Sequence, residues 1–176
     1  MSNPYSTTSD SDSIGTDLVP VADVRGMKII TLALIGGVVM FMGVTLILNE
    51  GALGTEPGLL AWIGLGFFAV LFVQHLIIPQ VVVGNVLKSV SADELRNGTE
   101  AEKIQQLMPA FRTQHIIGCA LLEGPAFLNL VAYLIDDFVG NLAVAILVVV
   151  MLAMKIPSAT SIQWWAEERI REIEAR

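Results

Sequence analysis

The chain has 176 residues, of which 54 % are hydrophobic and only 15 % charged, and its mean hydropathy is +0.68. So little polar surface cannot cover a water-soluble globule, which points to a membrane protein, and the net charge of -7 argues against nucleic acid as a partner. Acidic residues contribute little to membrane orientation, so the placement of the 10 Lys and Arg residues carries more information than their sum.

In chain order, residues 1–26 open with MSNPYSTTSDSDSIGTD, a Ser-, Thr- and Asp-rich run with almost nothing to bury, expected to be a disordered cytoplasmic tail. It does not read as a signal peptide, because the first positive charge is Arg25 and the apolar run behind it is span-length. Four apolar segments follow, at 27–48, 59–83, 113–135 and 138–156. A helix needs about 20 residues to cross a hydrocarbon core of about 30 Å, and each segment is near or above that length. In lipid only a helix satisfies its backbone polar groups within one segment, so the expected fold is an all-α membrane protein, a four-transmembrane-helix bundle over residues 27–156.

The basic residues orient it. Arg25 and Lys28 precede the first span; Lys88, Arg96, Lys103 and Arg112 lie between spans two and three; Lys155, Arg169, Arg171 and Arg176 follow the fourth. The connection NEGALGTEPG and the turn Asp136-Asp137 hold carboxylates and no Lys or Arg. By the positive-inside rule both termini are expected in the cytoplasm, with the protein in the inner membrane of a bacterium.

Within the cytoplasmic loop 87–112, Ser91 with Glu94 and Thr99 with Glu102 match the capping-box pattern, which predicts two short helices separated at Asn97-Gly98. In the second, Ile104, Leu107, Met108 and Phe111 share one face suited to the cytoplasmic leaflet, before Pro109 opens the approach to span three. Residues 157–176 read as an amphipathic interfacial helix capped by Ser161 or Thr160. Its apolar stripe is Ile162, Trp165, Ala166, Ile170 and Ile173, and Trp164, Trp165, Arg112 and Lys155 mark the membrane interface.

Glu123 lies in the middle of span three, in ALLEGPAFLNL. A charged side chain there costs roughly 2.5–3.5 kcal/mol on insertion scales, so it is expected to face the bundle or a wet cavity, with Ala120 and Gly124 bringing another helix close. Counting at about 1.5 Å per residue places Glu123 about 15 Å deep from Thr113 and His75 about 12 Å deep from Val83, nearly level. His75, with Gln74 as its alternative, is therefore the expected partner, and Pro79 and Pro125 free backbone carbonyls near the same spot. Two roles compete for this group: a polar clasp that fixes helix packing, and a proton- or cation-binding site.

Other polar residues read more plainly. His115 suits the interface; Asn129 lies about 120° around the helix from Glu123 and bonds some other neighbour; Asp136 and Asp137 form a solvated turn. The single cysteine, Cys119, permits no intramolecular disulfide. Phosphate-loop, metal-ligand and nucleophile motifs are missing from the sequence, so neither a cofactor, a metal nor an enzymatic activity is expected.

Two resemblances attach to these residues. The run Ile117-Gly118-Cys119-Ala120-Leu121-Leu122-Glu123-Gly124 resembles the ion-carrying helix of rotary ATP synthase proteolipid (c) subunits, which implies a proton- or sodium-binding role for Glu123. The long 87–112 segment and the absence of a repeated-glycine helix depart from that family. Over the whole chain the sequence is similar to a group of small, uncharacterised bacterial four-span membrane proteins, through Arg112, Thr113, Gly118, Glu123, Phe127, Asn129 and Tyr133. That likeness implies a shared architecture without naming an activity. The expected function is a non-enzymatic structural or accessory component of the bilayer, as a homo-oligomer or in a larger membrane complex, with ion translocation through Glu123 as the alternative.

Overall fold

The computed structural model describes residues 19–88 and 98–175. The Ser91 and Glu94 capping box and the tail up to residue 18 lie outside them. The described residues form five helices and no strand: α1 (Val21–Leu48), α2 (Leu59–Leu87), α3 (Glu100–Asp136), α4 (Val139–Met154) and α5 (Ala159–Glu174). Three of them, α1, α2 and α3, are long and apolar enough to cross a membrane. The fourth apolar segment is shorter than its sequence, because Phe138 is the N-cap and Lys155 the C-cap of a helix of 16 residues, about 24 Å at 1.5 Å per residue.

α3 is the axis of the molecule, and α2, α4 and α1 all pack along it. Its face of Leu122, Ala126, Leu130 and Tyr133 meets Val38 of α1 and Ala145, Val148 and Leu152 of α4 in one core. α1 and α2 make no substantial contact with each other among the described residues, so α3 is left uncovered between them at Ile116, Ala120 and Gly124.

The expected separate helix over the end of the 87–112 loop is instead the first part of α3. Thr99 makes the reciprocal capping box with Glu102, and the helix then runs 37 residues, through Pro109 and Pro125, without a break. Its length of about 55 Å exceeds a hydrocarbon core of about 30 Å, so one end projects. On that projection Ile104, Leu107 and Met108 are buried with Val19 just ahead of α1, with Val24 and Met27 of α1 and with Ile162 and Ala166 of α5. Helical structure thus begins ahead of the expected boundary at Met27, because Val24 and Met27 have apolar partners there. The stripe on α5 is covered by protein, with Ile162 and Ala166 buried. α5 turns 77° from α4 at Pro157, and its cap is Ser158, whose hydroxyl accepts from the Ser161 N–H while Ser161 Oγ accepts in return. Ser161 is therefore the partner of the cap and not the cap itself.

The opposite end is latched by hydrogen bonds. α1 stops in a turn where Gly51 N–H reaches Leu46 O and Glu50 N–H reaches Ile47 O, with Glu50 and Gly51 both at positive φ. The connection then pairs with the α3–α4 turn through Gly54 N–H to Asp137 O and Val139 N–H to Gly54 O, and Tyr133 Oη donates to Ala52 O at 2.8 Å.

Asp136 is not a solvated turn residue. Gly58, the N-cap of α2, has no side chain to cap with, and the Asp136 carboxylate accepts the Ala61 N–H at 2.7 Å in its place. The chemistry is that of an ordinary N-cap supplied by another helix, with a negative charge at the positive end of the α2 dipole. A Cβ on Gly58 would lie 2.4 Å from the Asp136 carboxyl carbon, so glycine makes room for this cap.

Asp136→Ala is expected to lower stability by about 1 kcal/mol, with Asp136→Asn losing less, measured by thermal unfolding of the full chain in detergent. At the other cap, the Thr99 N–H and hydroxyl hold the Glu102 carboxyl below its ordinary value of 4.5. A lowered folded value means the contribution is complete above 4.5 and is lost as pH falls through the folded value. Amide exchange in the first turn of α3, corrected for its intrinsic pH dependence, should therefore speed up below that pH, and Glu102→Gln should remove the transition.

Candidate functional site

Glu123 sits half-buried on α3 between the buried Leu122 and the exposed Gly124. It has no hydrogen bond or ion pair among the described residues. Its neighbours one turn away are Cys119, in the core, and Phe127, whose ring packs 5.4 Å from that of Phe41 on α1. Ala120 and Gly124 are both exposed, and α2 reaches this small-residue face only at its edge, where a Cβ on Gly124 would meet Leu71 Cδ1 at 4.0 Å.

His75 does not join Glu123. Its Nδ1–H donates to the Gly118 carbonyl at 2.9 Å, and Gly118 lies five residues before Glu123, more than one turn nearer the α5 end of the bundle. Gln74 is exposed. Depth counting failed because both helices run past the apolar limits used to count, α2 to Leu87 and α3 back to Glu100. A shift of register between two helices is invisible to a count made along each alone. Gly118 admits the close approach: a Cβ there would meet His75 Cε1 at 3.5 Å and Pro79 Cγ at 4.0 Å.

His115 is likewise a buried interhelical residue. Thr31 on α1 donates its hydroxyl to Met27 O at 2.9 Å, which leaves its oxygen to accept from His115 Nε2–H at 2.7 Å. The imidazole stacks on Phe111, which in turn meets Trp165 edge-on at 5.1 Å. Of the residues expected to mark the membrane interface, Trp164 is 74 % exposed, Arg112 pairs with Asp23, and Lys155 closes α4.

A second buried polar cluster, around Asn129, is one that sequence reasoning only half located. Asn129, fully buried, donates from Nδ2 to Pro125 O at 2.8 Å and to Gly64 O at 3.0 Å. Its Oδ1 accepts from Asn141 Nδ2 at 2.7 Å, and Asn141 also donates to Ala61 O at 3.3 Å. One amide pair thus ties α3 to α2 and α4. The bond of Asn129 to a neighbour other than Glu123 agrees with its place on the helix. Asn141 was missed, although it is the one strongly polar side chain between Phe138 and Met154 and the cost of burying it was the available signal. Gly64 is required here, since a Cβ would lie 2.8 Å from Asn141 Nδ2 and 3.0 Å from Asn129 Oδ1.

Among the described residues no three His, Cys, Asp or Glu side chains converge as a metal site would need. The geometry offers two chemically distinct spots instead: an uncovered carboxyl on α3, and a cavity beside His75 at the elbow between α4 and α5.

Gly64→Ala is expected to destabilise the bundle by about 1–3 kcal/mol through overpacking. A double-mutant cycle of Asn129→Ala with Asn141→Ala should return a coupling of about 0.6–2 kcal/mol. Thermal or denaturant unfolding in detergent measures both. No family model, curated protein or solved structure matches this chain.

Proposed function

We propose that the chain is a multi-pass integral membrane protein with α1, α2, α3 and α4 as four spans, and that it is a non-enzymatic structural or accessory component which assembles with a second copy of itself through α3. The Arg112 end, where the basic residues gather, faces the cytoplasm, and the inner membrane of a bacterium is its place. Support for the spans comes from the apolar length of α1, α2 and α3 and from outward-facing Ile29, Met40, Trp62, Val70 and Ile146, all exposed and unsuited to water.

The observation that carries the assembly reading is Glu123 beside Ala120 and Gly124 on a face left open between α1 and α2. Small residues four apart let two helix backbones approach closely, and they commonly do so between identical helices. A mid-span carboxyl without a partner is costly in lipid, and the same group on a second copy gives it one, two carboxyls sharing a proton.

The same unpartnered carboxyl favours a second reading. The likeness of Ile117–Gly124 to the ion-carrying helix of proteolipid subunits supports proton or cation binding at Glu123.

One set of variants separates the two. With Cys119 replaced by Ser, Ala120→Cys should form a disulfide-linked dimer in native membranes under mild oxidation, and Gly124→Leu should abolish it. Glu123→Gln should keep the dimer, because an amide retains hydrogen bonding. A linked species of another mass would identify a different partner, and an uncrosslinked Ala120→Cys would remove self-assembly. On the ion reading, vesicles of the full chain show proton flux and carbodiimide labelling that Glu123→Gln eliminates.

A further inference from the structure

Three titratable side chains stand at successive four-residue steps along α3: His115, Cys119 and Glu123. In an α-helix, residues at this spacing are neighbours, about 5–6 Å apart between Cβ atoms. Each side chain also leans toward the helix N-terminus, so Glu123 is carried over the turn of Cys119, and Cys119 over the turn of His115. The step between Cys119 and His115 is made in the structure, with Sγ 3.7 Å from Nε2. That nitrogen carries a proton, which it gives to Thr31 Oγ1 at 2.7 Å. Beside an N–H the sulfur can only accept, so its own S–H is left to serve the next turn, where Glu123 is the acceptor.

This line has one wet end and one dry end. At His115 it meets the cavity of about 550 Å³ where α2, α3 and the α4–α5 elbow come together. Gln80, Lys155, Ser158 and Ser161 also line that cavity and are exposed, so it opens at the α5 end. A polar cavity of this size admits water. Glu123 lies eight residues beyond His115, about 12 Å further along the helix. Past Glu123 the next residues at the same spacing are Phe127, Val131 and Ile135. None carries an exchangeable side-chain proton, and Phe127 is packed on Phe41.

The helices packed around this line add few titratable groups. α1 beyond Lys28 and the whole of α4 hold none, and α2 holds only His75, whose Nδ1–H is given to Gly118 O. Lys155 is the one charged residue among those described around the cavity.

Resting on the proton-binding reading of Glu123, we infer that His115 and Cys119 are the relay through which Glu123 exchanges its proton with the α5 side of the membrane. A hydronium in the cavity protonates His115 at Nδ1. The Nε2 proton then passes to Cys119 Sγ as the Sγ–H proton moves to the Glu123 carboxylate, which turns about its side-chain torsions to receive it. One proton enters and one carboxylate is neutralised, while the thiol is regenerated and the imidazole is left with its proton on Nδ1. Release runs the same path backwards and restores the tautomer.

The test uses the full chain in phospholipid nanodiscs and a proton released by light from a caged acid. Time-resolved infrared absorption follows the C=O band of a protonated carboxyl, assigned to Glu123 by its loss in Glu123→Gln. Cys119→Ala should slow the rise of this band by about a hundredfold, the worth of a positioned proton-transfer group, and keep its final amplitude. His115→Phe, which keeps a ring against Phe111, should slow it in the same way. Cys119→Ser, whose hydroxyl both accepts and donates, should stay near the wild-type rate. A band that rises as fast in Cys119→Ala as in the wild type, or as slowly in Cys119→Ser as in Cys119→Ala, overturns the relay and leaves proton binding at Glu123 standing. A wild type without a band that Glu123→Gln removes overturns proton binding itself, and the relay with it.

Discussion

A side-chain amide buried among leucines has to find its partners on neighbouring helices, and Asn129 shows how much of this bundle follows from that requirement. Its carboxamide reaches the backbone of α2 at Gly64, the carbonyl of Pro125 on its own helix, and the amide of Asn141 on α4. Each bond is directional, so the set determines both the depth and the rotation at which α2 and α4 meet α3. Apolar packing around Leu122, Leu130 and Val148 supplies contact area, but it tolerates sliding in a way that short hydrogen bonds at fixed angles do not.

The same logic recurs at each level of the bundle with different groups. Asp136 supplies the cap that Gly58 cannot, His115 ties α3 to Thr31, and His75 ties α2 to Gly118. At two of these places and at the Asn129 level a glycine, Gly58, Gly118 or Gly64, leaves the space that the polar group fills. Polar residues in the apolar segments are thus mostly committed to helix-to-helix bonds. The exceptions stand out for that reason: Glu123, uncovered on α3, and four buried atoms without a partner among the described residues, Gln114 Oε1, Asn141 Oδ1, Trp165 Nε1 and Arg169 Nε. Of these, Glu123 is the group from which function is proposed, because it lies on an open face.

Much of the helical content was legible because its signals are local. Length of apolar run marked α1, α2 and the membrane part of α3, and the Thr99 and Glu102 pattern located the start of α3 to the residue. The C-terminal stripe of Ile162 and Ala166 was visible at helical spacing, although sequence could not say whether lipid or protein would cover it. Pro109 misled, because proline reads as a helix boundary, whereas α3 runs through both Pro109 and Pro125 and a long helix can carry a proline inside it. The level of His75 against Glu123 was misjudged because a count along each helix alone does not give the register between them.

Composition and apolar periodicity by themselves determined that this protein is helical and that several of its helices suit a membrane, since hydrophobicity and helix length are properties of each segment alone. Only the tertiary structure decided that α3 is central, that Asp136 caps α2, that Asn129 finds Asn141 and that His75 turns from Glu123 to Gly118. Those outcomes depend on the relative rotation and register of helices, which are set by the few directional bonds and glycine-sized gaps that appear once the segments are packed together.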